Sequence, residues 1–414
     1  MKHTCPATAA LLLLALSSSV EPSNAFRQQS LQARSSRLGI QQMQKQKQPP
    51  AVWKQSTSTG KSTLASSPTS LEMVAPHTTP ETAAKASLSL VGALRGGSLL
   101  GSATGAVTSA LQSGPFGTLA LAAVTSCVVI PLTMYRQIYA FTVAYALAMA
   151  AVGLVLSSKS ILLFPAASPL AKSLSGALVF YGLRLGGHLL FREATVSSKR
   201  TVIKNFDKTP RLERIPFALG VGLFFAFMGT PSLYLCRAGA SLTGMSATIS
   251  QAGVGTAWFG AVVEAWTDTH KLWHKRGKDE AMDFTGPSTW WYGVCKHPNY
   301  FAEIVFWIGV LVSGLPSMVA PPNLTVGSGV AAVCSVLGIS GILSTMLGAT
   351  RRLETKQEEK YGGQIPFEEW KANTPALFPT TVSLGMVLPV SLSVGMAMVV
   401  RKAVGVVLKS SIGA

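Results

Sequence analysis

Charge is scarce in this chain, and acidic charge scarcest of all: of 414 residues 13% are charged, and 17 Asp or Glu stand against 35 Lys or Arg. An ordinary soluble globule carries roughly twice that share of charge, so with 48% hydrophobic residues and a mean hydropathy of +0.37 the chain does not read as one. Histidine is also rare, six in all. His3 and His77 lie in the N-terminal region, which leaves too few for the His boxes of a di-iron lipid hydroxylase, although His270 and His274 have the i, i+4 spacing that can chelate a metal. We expect no metal site. The five cysteines (Cys5, Cys127, Cys236, Cys295, Cys334) form no CxxC pair and three lie in apolar runs, so neither a disulfide framework nor a zinc site is indicated. No Gly-rich dinucleotide fingerprint is present, and no internal repeat of the kind that transporters show.

What is there is basic and apolar in alternation. A net charge of +18 could mean nucleic acid, but no motif supports that. Loop charges facing anionic headgroups or an anionic cofactor give the better account, with the lipid bilayer as the surrounding partner. A non-enzymatic transporter or scaffold is a weaker reading, because the chemistry-bearing residues gather toward one end of the chain.

Residues 1–25 read as a signal peptide: Lys2 and His3 precede the apolar stretch Ala9 to Leu16, and Ser23-Asn24-Ala25 offers a small-residue cleavage site. Residues 26–87 are rich in Ser, Thr and Gln. From Phe26 to about Thr79, Arg27, Arg34, Arg37, Lys45, Lys47, Lys54 and Lys61 face the single acid Glu72, so this segment should stay disordered. Together the two resemble the two-part presequence of algae with secondary plastids. That resemblance implies a plastid membrane, with the endoplasmic reticulum or another endomembrane as the alternative.

A bilayer-crossing helix needs about 20 mostly apolar residues. Eight windows meet the test: Gly117 to Met134, Ile138 to Leu156, Leu174 to Leu190, Phe217 to Cys236, Leu242 to Trp266, Tyr300 to Ala320, Val326 to Leu347 and Thr381 to Val400. The expected fold is thus all-α, a polytopic bundle of about seven to eight spans. Residues 88–177 would hold N-terminal helices, 178–379 a catalytic membrane domain and 380–414 a final hydrophobic helix and tail. Leu88 to Leu111, with Arg95 and many Gly and Ser, reads as interfacial or irregular. Gly253, Gly255 and Gly260, and Gly338, Gly341 and Gly348, predict close helix approach. Lys199, Arg200, Lys204, Lys208, Arg211 and Arg214 crowd one loop, and Lys271, Lys275, Arg276 and Lys278 another. With two spans between them both loops share a side, cytosolic or stromal by the positive-inside tendency.

From Glu264 to Pro379 ionisable residues crowd into and between the spans, where they are expensive and therefore functional by default. Helical periodicity puts Glu264, Asp268 and Lys275 on nearly one face. In Trp290-Trp291-Tyr292-Gly293-Val294-Cys295-Lys296-His297-Pro298-Asn299-Tyr300-Phe301-Ala302-Glu303 the proline can open a helix. Asn299 and Glu303 then fall one turn apart on the same face. Trp290 and Trp291 suit an interfacial belt equally well. Arg351, Arg352, Glu354 and Lys356 begin a charged exit, either a solvated helix end or a set of phosphate ligands.

Lys296 to Glu303, the Arg351 to Lys356 segment, Tyr361 through Phe378-Pro379, and the earlier Tyr181-Gly182-Leu183-Arg184-Leu185 to Arg192 resemble the steroid 5-alpha-reductase-like membrane family over about Leu178 to Pro379. The resemblance implies a helical bundle that holds NADPH and reduces a carbon–carbon double bond in a steroid or other unsaturated lipid. Asn299 and Glu303 would contact the nicotinamide end, and Asp268 the cofactor near the polar loop. Arg351 and Arg352 would hold phosphates, Lys275, Arg276 and Lys356 would add positive charge, and His297 and Tyr300 would shape the pocket. Glu303, Tyr300 or Tyr181 would assist proton transfer to a hydrophobic substrate. Departures from the family pattern are Lys296 for Arg, Ala302 for Gly, a long final span, and no alignable upstream acid and tyrosine to polarise a carbonyl. The rival is an S-adenosylmethionine-dependent methyltransferase of the isoprenylcysteine or phospholipid type, whose motif is related but has Gly near the position of Glu303.

Overall fold

The computed structural model describes residues 98–157, 164, 167–196, 201, 203, 205–239, 241–276, 283–320, 323–379 and 384–412. The expected signal peptide and transit-like segment lie outside the described residues. Among those described there are helices and no strands. Residues Leu100–Ala414 form one compact unit.

The α-helices are α1 Ser98–Gln112, α2 Gly117–Tyr135, α3 Val143–Ser157, α4 Pro169–Thr195, α5 Ile215–Ala238, α6 Gly244–Lys275, α7 Trp291–Val294, α8 Pro298–Val319, α9 Val326–Tyr361, α10 Ile365–Asn373 and α11 Leu384–Ile412. Six of the eight apolar windows coincide with membrane-length helices. Six helical segments are long and apolar enough to cross a membrane: Gly117–Tyr135, Pro169–Thr195, Leu212–Ala238, Pro298–Val319, Val326–Tyr361 and Met386–Ser410. The chain is thus an all-α transmembrane bundle, with two of its expected spans modified. Ile138 to Leu156 is divided into a 3-10 turn, Gln137–Phe141, and the 15-residue α3. At 1.5 Å per residue α3 is about 22 Å long, short of the hydrocarbon thickness. Leu242 to Trp266 belongs to the 32-residue α6, whose Gly, Ser and Thr dilute its apolar character. The stretch expected to be interfacial yields α1, 15 residues long and not among the six.

Local sequence sets the helix starts. Ser168 accepts the Ala171 amide at 3.2 Å ahead of Pro169, Thr325 and Ser328 form a reciprocal cap on α9, and Pro298 opens α8 as expected.

Close backbone approach holds α6 against α8. A Cβ at Gly253 would lie 2.4 Å from Ser313 N, one at Gly260 2.5 Å from Phe306 N and 2.6 Å from Ala302 O, and one at Gly309 2.4 Å from Ala257 N. Gly338 and Gly341 likewise meet Phe227 and Phe224 of α5. Gly255 and Gly348 do not serve this purpose, correcting the expectation. Gly255 faces open space and Gly348 has only the Arg352 side chain at ordinary distance.

The helix ends sort into two sets. At one end Asp207 Oδ1 accepts the Gln137 amide at 2.6 Å and the Arg214 guanidinium at 3.2 Å, while Oδ2 accepts Arg136 at 3.0 Å. Tyr139 donates to Glu193 at the close of α4. At the other end Arg237, late in α5, donates to the carbonyls of Ala110 and Leu111 at the close of α1 and of Ser113 and Gly114 in the turn to α2.

Burial pushes the Asp207 carboxyl up, but the Gln137 amide and the two arginines outweigh it and hold it below the ordinary carboxylate value. A carboxyl depressed by folding adds stability above its unfolded value and loses it as pH falls through the folded one. The wild-type melting midpoint should therefore drop from about pH 5 to about pH 3. Asp207→Asn should melt lower at pH 7 and show a flatter profile in that acid window, measured by fluorescence-detected unfolding in detergent.

Candidate functional site

Three buried oxygens from three helices converge inside the bundle. Glu303 Oε1, one turn into α8, accepts the hydroxyls of Tyr145 from α3 at 2.8 Å and Tyr181 from α4 at 3.0 Å, and those two hydroxyls are 2.9 Å apart. Trp307, one turn further along α8, donates its indole N–H to the Tyr145 oxygen at 2.7 Å. The ring of Tyr181 stacks on Phe306 with centroids 4.1 Å apart, so its hydroxyl is held in place by apolar packing. Tyr145, Tyr181, Phe306 and Trp307 are all buried, and Glu303 is 6% exposed.

Proton counting defines what this cluster can do. Three oxygen–oxygen contacts need three protons to be hydrogen bonds, and the two phenols supply two. With Glu303 ionised both phenolic protons point to the carboxylate. With Glu303 protonated a closed ring of three hydrogen bonds forms. The cluster thus exchanges one proton without moving a heavy atom.

Toward the polar end, one turn along α4 and α6, lies a charged group. Arg184 Nη1 reaches Asp268 Oδ2 at 2.9 Å and Glu264 Oε1 at 3.5 Å, and His188 Nε2 is 3.9 Å from Asp268 Oδ2. The shared face foreseen for Glu264 and Asp268 is therefore real. Glu264 Oε2 and Arg184 Nη2 are buried without a partner, a costly state that a bound polar ligand would relieve. Tyr300 is half-buried one turn before Glu303. Asn299 is half-buried beside it.

A third group fixes the start of α8. Lys296 donates to Glu354 Oε2, and His297 Nε2 lies 2.6 Å from Glu354 Oε1. The Lys296 and His297 amides donate to the carbonyls of Pro375 and Ala376 at 2.9 and 3.1 Å, strapping the segment before Phe378-Pro379 to this turn. His297 is fully buried and its Nδ1 has no partner.

Of the residues chosen from sequence, Tyr181 and Glu303 touch, while Asp268 pairs with Arg184. Arg351, Arg352 and Lys356 are exposed on α9. Lys275 is half-buried at the end of α6, and the exposed Arg276 lies over the Trp273 ring at 5.5 Å. Trp291 is buried, its indole donating to Ser393 at 3.1 Å, and so does not serve as a headgroup anchor; Trp290 is exposed. His270 and His274 have perpendicular rings, and His274 Nε2 lies 2.5 Å from the Thr285 carbonyl. A cleft of about 530 Å³ between Phe284 to Ser288 and α10 is lined by none of the residues chosen from sequence as catalytic or cofactor-binding.

Sequence reasoning missed Tyr145, Trp307 and the pairing role of Glu354. Tyr145 carried a signal, being the one aromatic residue of α3, yet α3 lay outside the stretch assigned to chemistry.

Residues 142–374 match a family model described as "Protein of unknown function (DUF1295)". That range begins just before Tyr145 and ends just short of the strap at Pro375. Neither a curated protein nor a solved structure matches the chain.

Proposed function

The chain belongs to the DUF1295 family, and from that premise we propose that it is a membrane-bound, NADPH-dependent reductase of a carbon–carbon double bond in an unsaturated lipid. The observation that carries the reading is the buried Tyr145–Tyr181–Glu303 cluster, an acid–hydroxyl set in an apolar surround, next to a partly unsatisfied ionic group. The resemblance to the steroid 5-alpha-reductase-like family points the same way.

The residues present fit such a cofactor. Glu264 Oε2 offers an acceptor for an amide or a ribose hydroxyl, Arg184 Nη2 and the half-buried Asn299 offer donors, and Arg192, Arg351 and Arg352 suit phosphate oxygens. When bound, NADPH supplies a hydride. The chain's share is the proton and the charge. For an enone substrate, a Tyr145 or Tyr181 hydroxyl hydrogen-bonds the carbonyl oxygen and stabilises the negative charge that grows there. Starting from protonated Glu303, one proton passes from the cluster to the reduced product, which leaves the carboxylate ionised and accepting hydrogen bonds from both phenols. Aromatic packing from Phe225, Phe306 and Trp307 keeps water out. Substrate comes from the bilayer and cofactor from the basic side. The natural lipid, on this reading, is one soluble in the membrane, and a plastid membrane is the proposed location.

Methyl transfer from S-adenosylmethionine delivers no proton to its product. Equilibrium binding to detergent-solubilised protein separates the two readings: NADPH should bind and S-adenosylmethionine should not. Binding of S-adenosylmethionine alone would replace this reading with the methyltransferase.

A further inference from the structure

Helix α11 lies wholly beyond residue 374, the end of the family match. It packs along α6 and, through Val404 and Leu408, reaches Gly176 of α4. Between α6 and α11 runs a groove of about 390 Å³ whose walls include Gly255, Trp258, Phe259, Val394 and Met398, with Arg401 among its lining. Gly255 keeps one wall open, since nothing lies within 4 Å of where its Cβ would be.

The charge of this region has no internal answer. Arg401 and Lys402 are exposed on a helix apolar enough to cross a membrane, and neither has an ion pair among the described residues. No Asp or Glu follows Glu369 in the sequence, none precedes Glu264 in α6, and none precedes Glu193 in α4. A cation on a lipid-facing helix is costly without an anion or a path to the headgroups. The groove is apolar along its length and basic at Arg401, the complement of a chain with an anionic head.

We propose that this groove binds an anionic phosphoglycerolipid, its acyl chain lying over Gly255, Phe259 and Met398 and its phosphate meeting Arg401 and Lys402. The site is separate from the Glu303 cluster and does not depend on the reductase reading. One wall, α6, lies within the family match, and the other, α11 with Arg401 and Lys402, lies beyond it.

Native mass spectrometry of the full chain, released from a neutral detergent with added phosphatidylglycerol or phosphatidylcholine, tests the proposal. Two basic residues near a phosphate should favour phosphatidylglycerol by about 30-fold. Arg401→Gln with Lys402→Gln should bring that ratio close to one. Gly255→Leu fills open space with a better helix former, so it should fold while reducing retention of phosphatidylglycerol several-fold with both cations intact. Equal retention of the two lipids by wild type would overturn the proposal, as would unchanged selectivity in the double variant. A concentration-dependent dimer lost in Gly255→Leu, without lipid selectivity, would assign the groove to a second copy and also overturn it.

Discussion

Glu303→Gln should lower NADPH-dependent double-bond reduction by about 10²- to 10⁴-fold, the usual worth of a positioned proton-transfer group. The substitution keeps the shape and an acceptor oxygen for Tyr145 and Tyr181 but removes the site that stores the exchangeable proton. The loss should fall on kcat, with KM for the lipid little changed, because the interaction strengthens only as charge develops. Tyr145→Phe should act in the same direction, and the double variant should be little worse than Glu303→Gln, since groups working as one unit are not additive. Asn299→Ala should also abolish turnover, through the cofactor. Yield, monodisperse elution and helical content should remain near wild type in each case. Near wild-type kcat in Glu303→Gln would remove the cluster from the mechanism.

Gly260→Val should fail more broadly, costing about 3 kcal/mol or more by forcing apart two helices in backbone contact. A side chain at this position meets Phe306 N at 2.5 Å and Ala302 O at 2.6 Å, and peptide groups do not swing aside as a flexible side chain would. Ala302 and Phe306 flank Glu303 in sequence, so the displacement carries the carboxylate away from Tyr145 and Tyr181. Low recovery on size exclusion and a lowered unfolding midpoint are the expected readouts. Gly255→Ala, five residues away on an open face, should be neutral or gain up to about 1 kcal/mol from helix propensity. Equal behaviour of the two variants would contradict the packing account.

These two glycines show where sequence reading succeeds and where it stops. Long apolar runs announce helices because the bilayer demands satisfied backbones, so six of the eight windows are legible as membrane-length helices. Recurrence of glycine announces close approach in general. Only the rotation of α6 about its axis decides that Gly253 and Gly260 face α8 while Gly255 faces a groove, and no local pattern encodes that rotation.

The same holds for chemistry. The i, i+4 pairs Asn299 with Glu303 and Glu264 with Asp268 are local and could be read from spacing. Tyr145 lies 158 residues from Glu303 and His297 lies 57 from Glu354. Partnerships at such separations come from the order in which helices pack. Arg276, chosen for its charge, instead lies over Trp273, its neighbour by three. Charge in a sequence shows that a side chain is costly to bury; its partner is set by the fold.

Turnover by the purified full-length protein, offered a panel of unsaturated lipids with NADPH or with S-adenosylmethionine, tests the central claim most directly. The account predicts that one lipid class loses one double bond for each NADPH oxidised, and that Glu303→Gln suppresses both together. A methylated product formed from S-adenosylmethionine, with no NADPH consumed for any lipid in the panel, would contradict it.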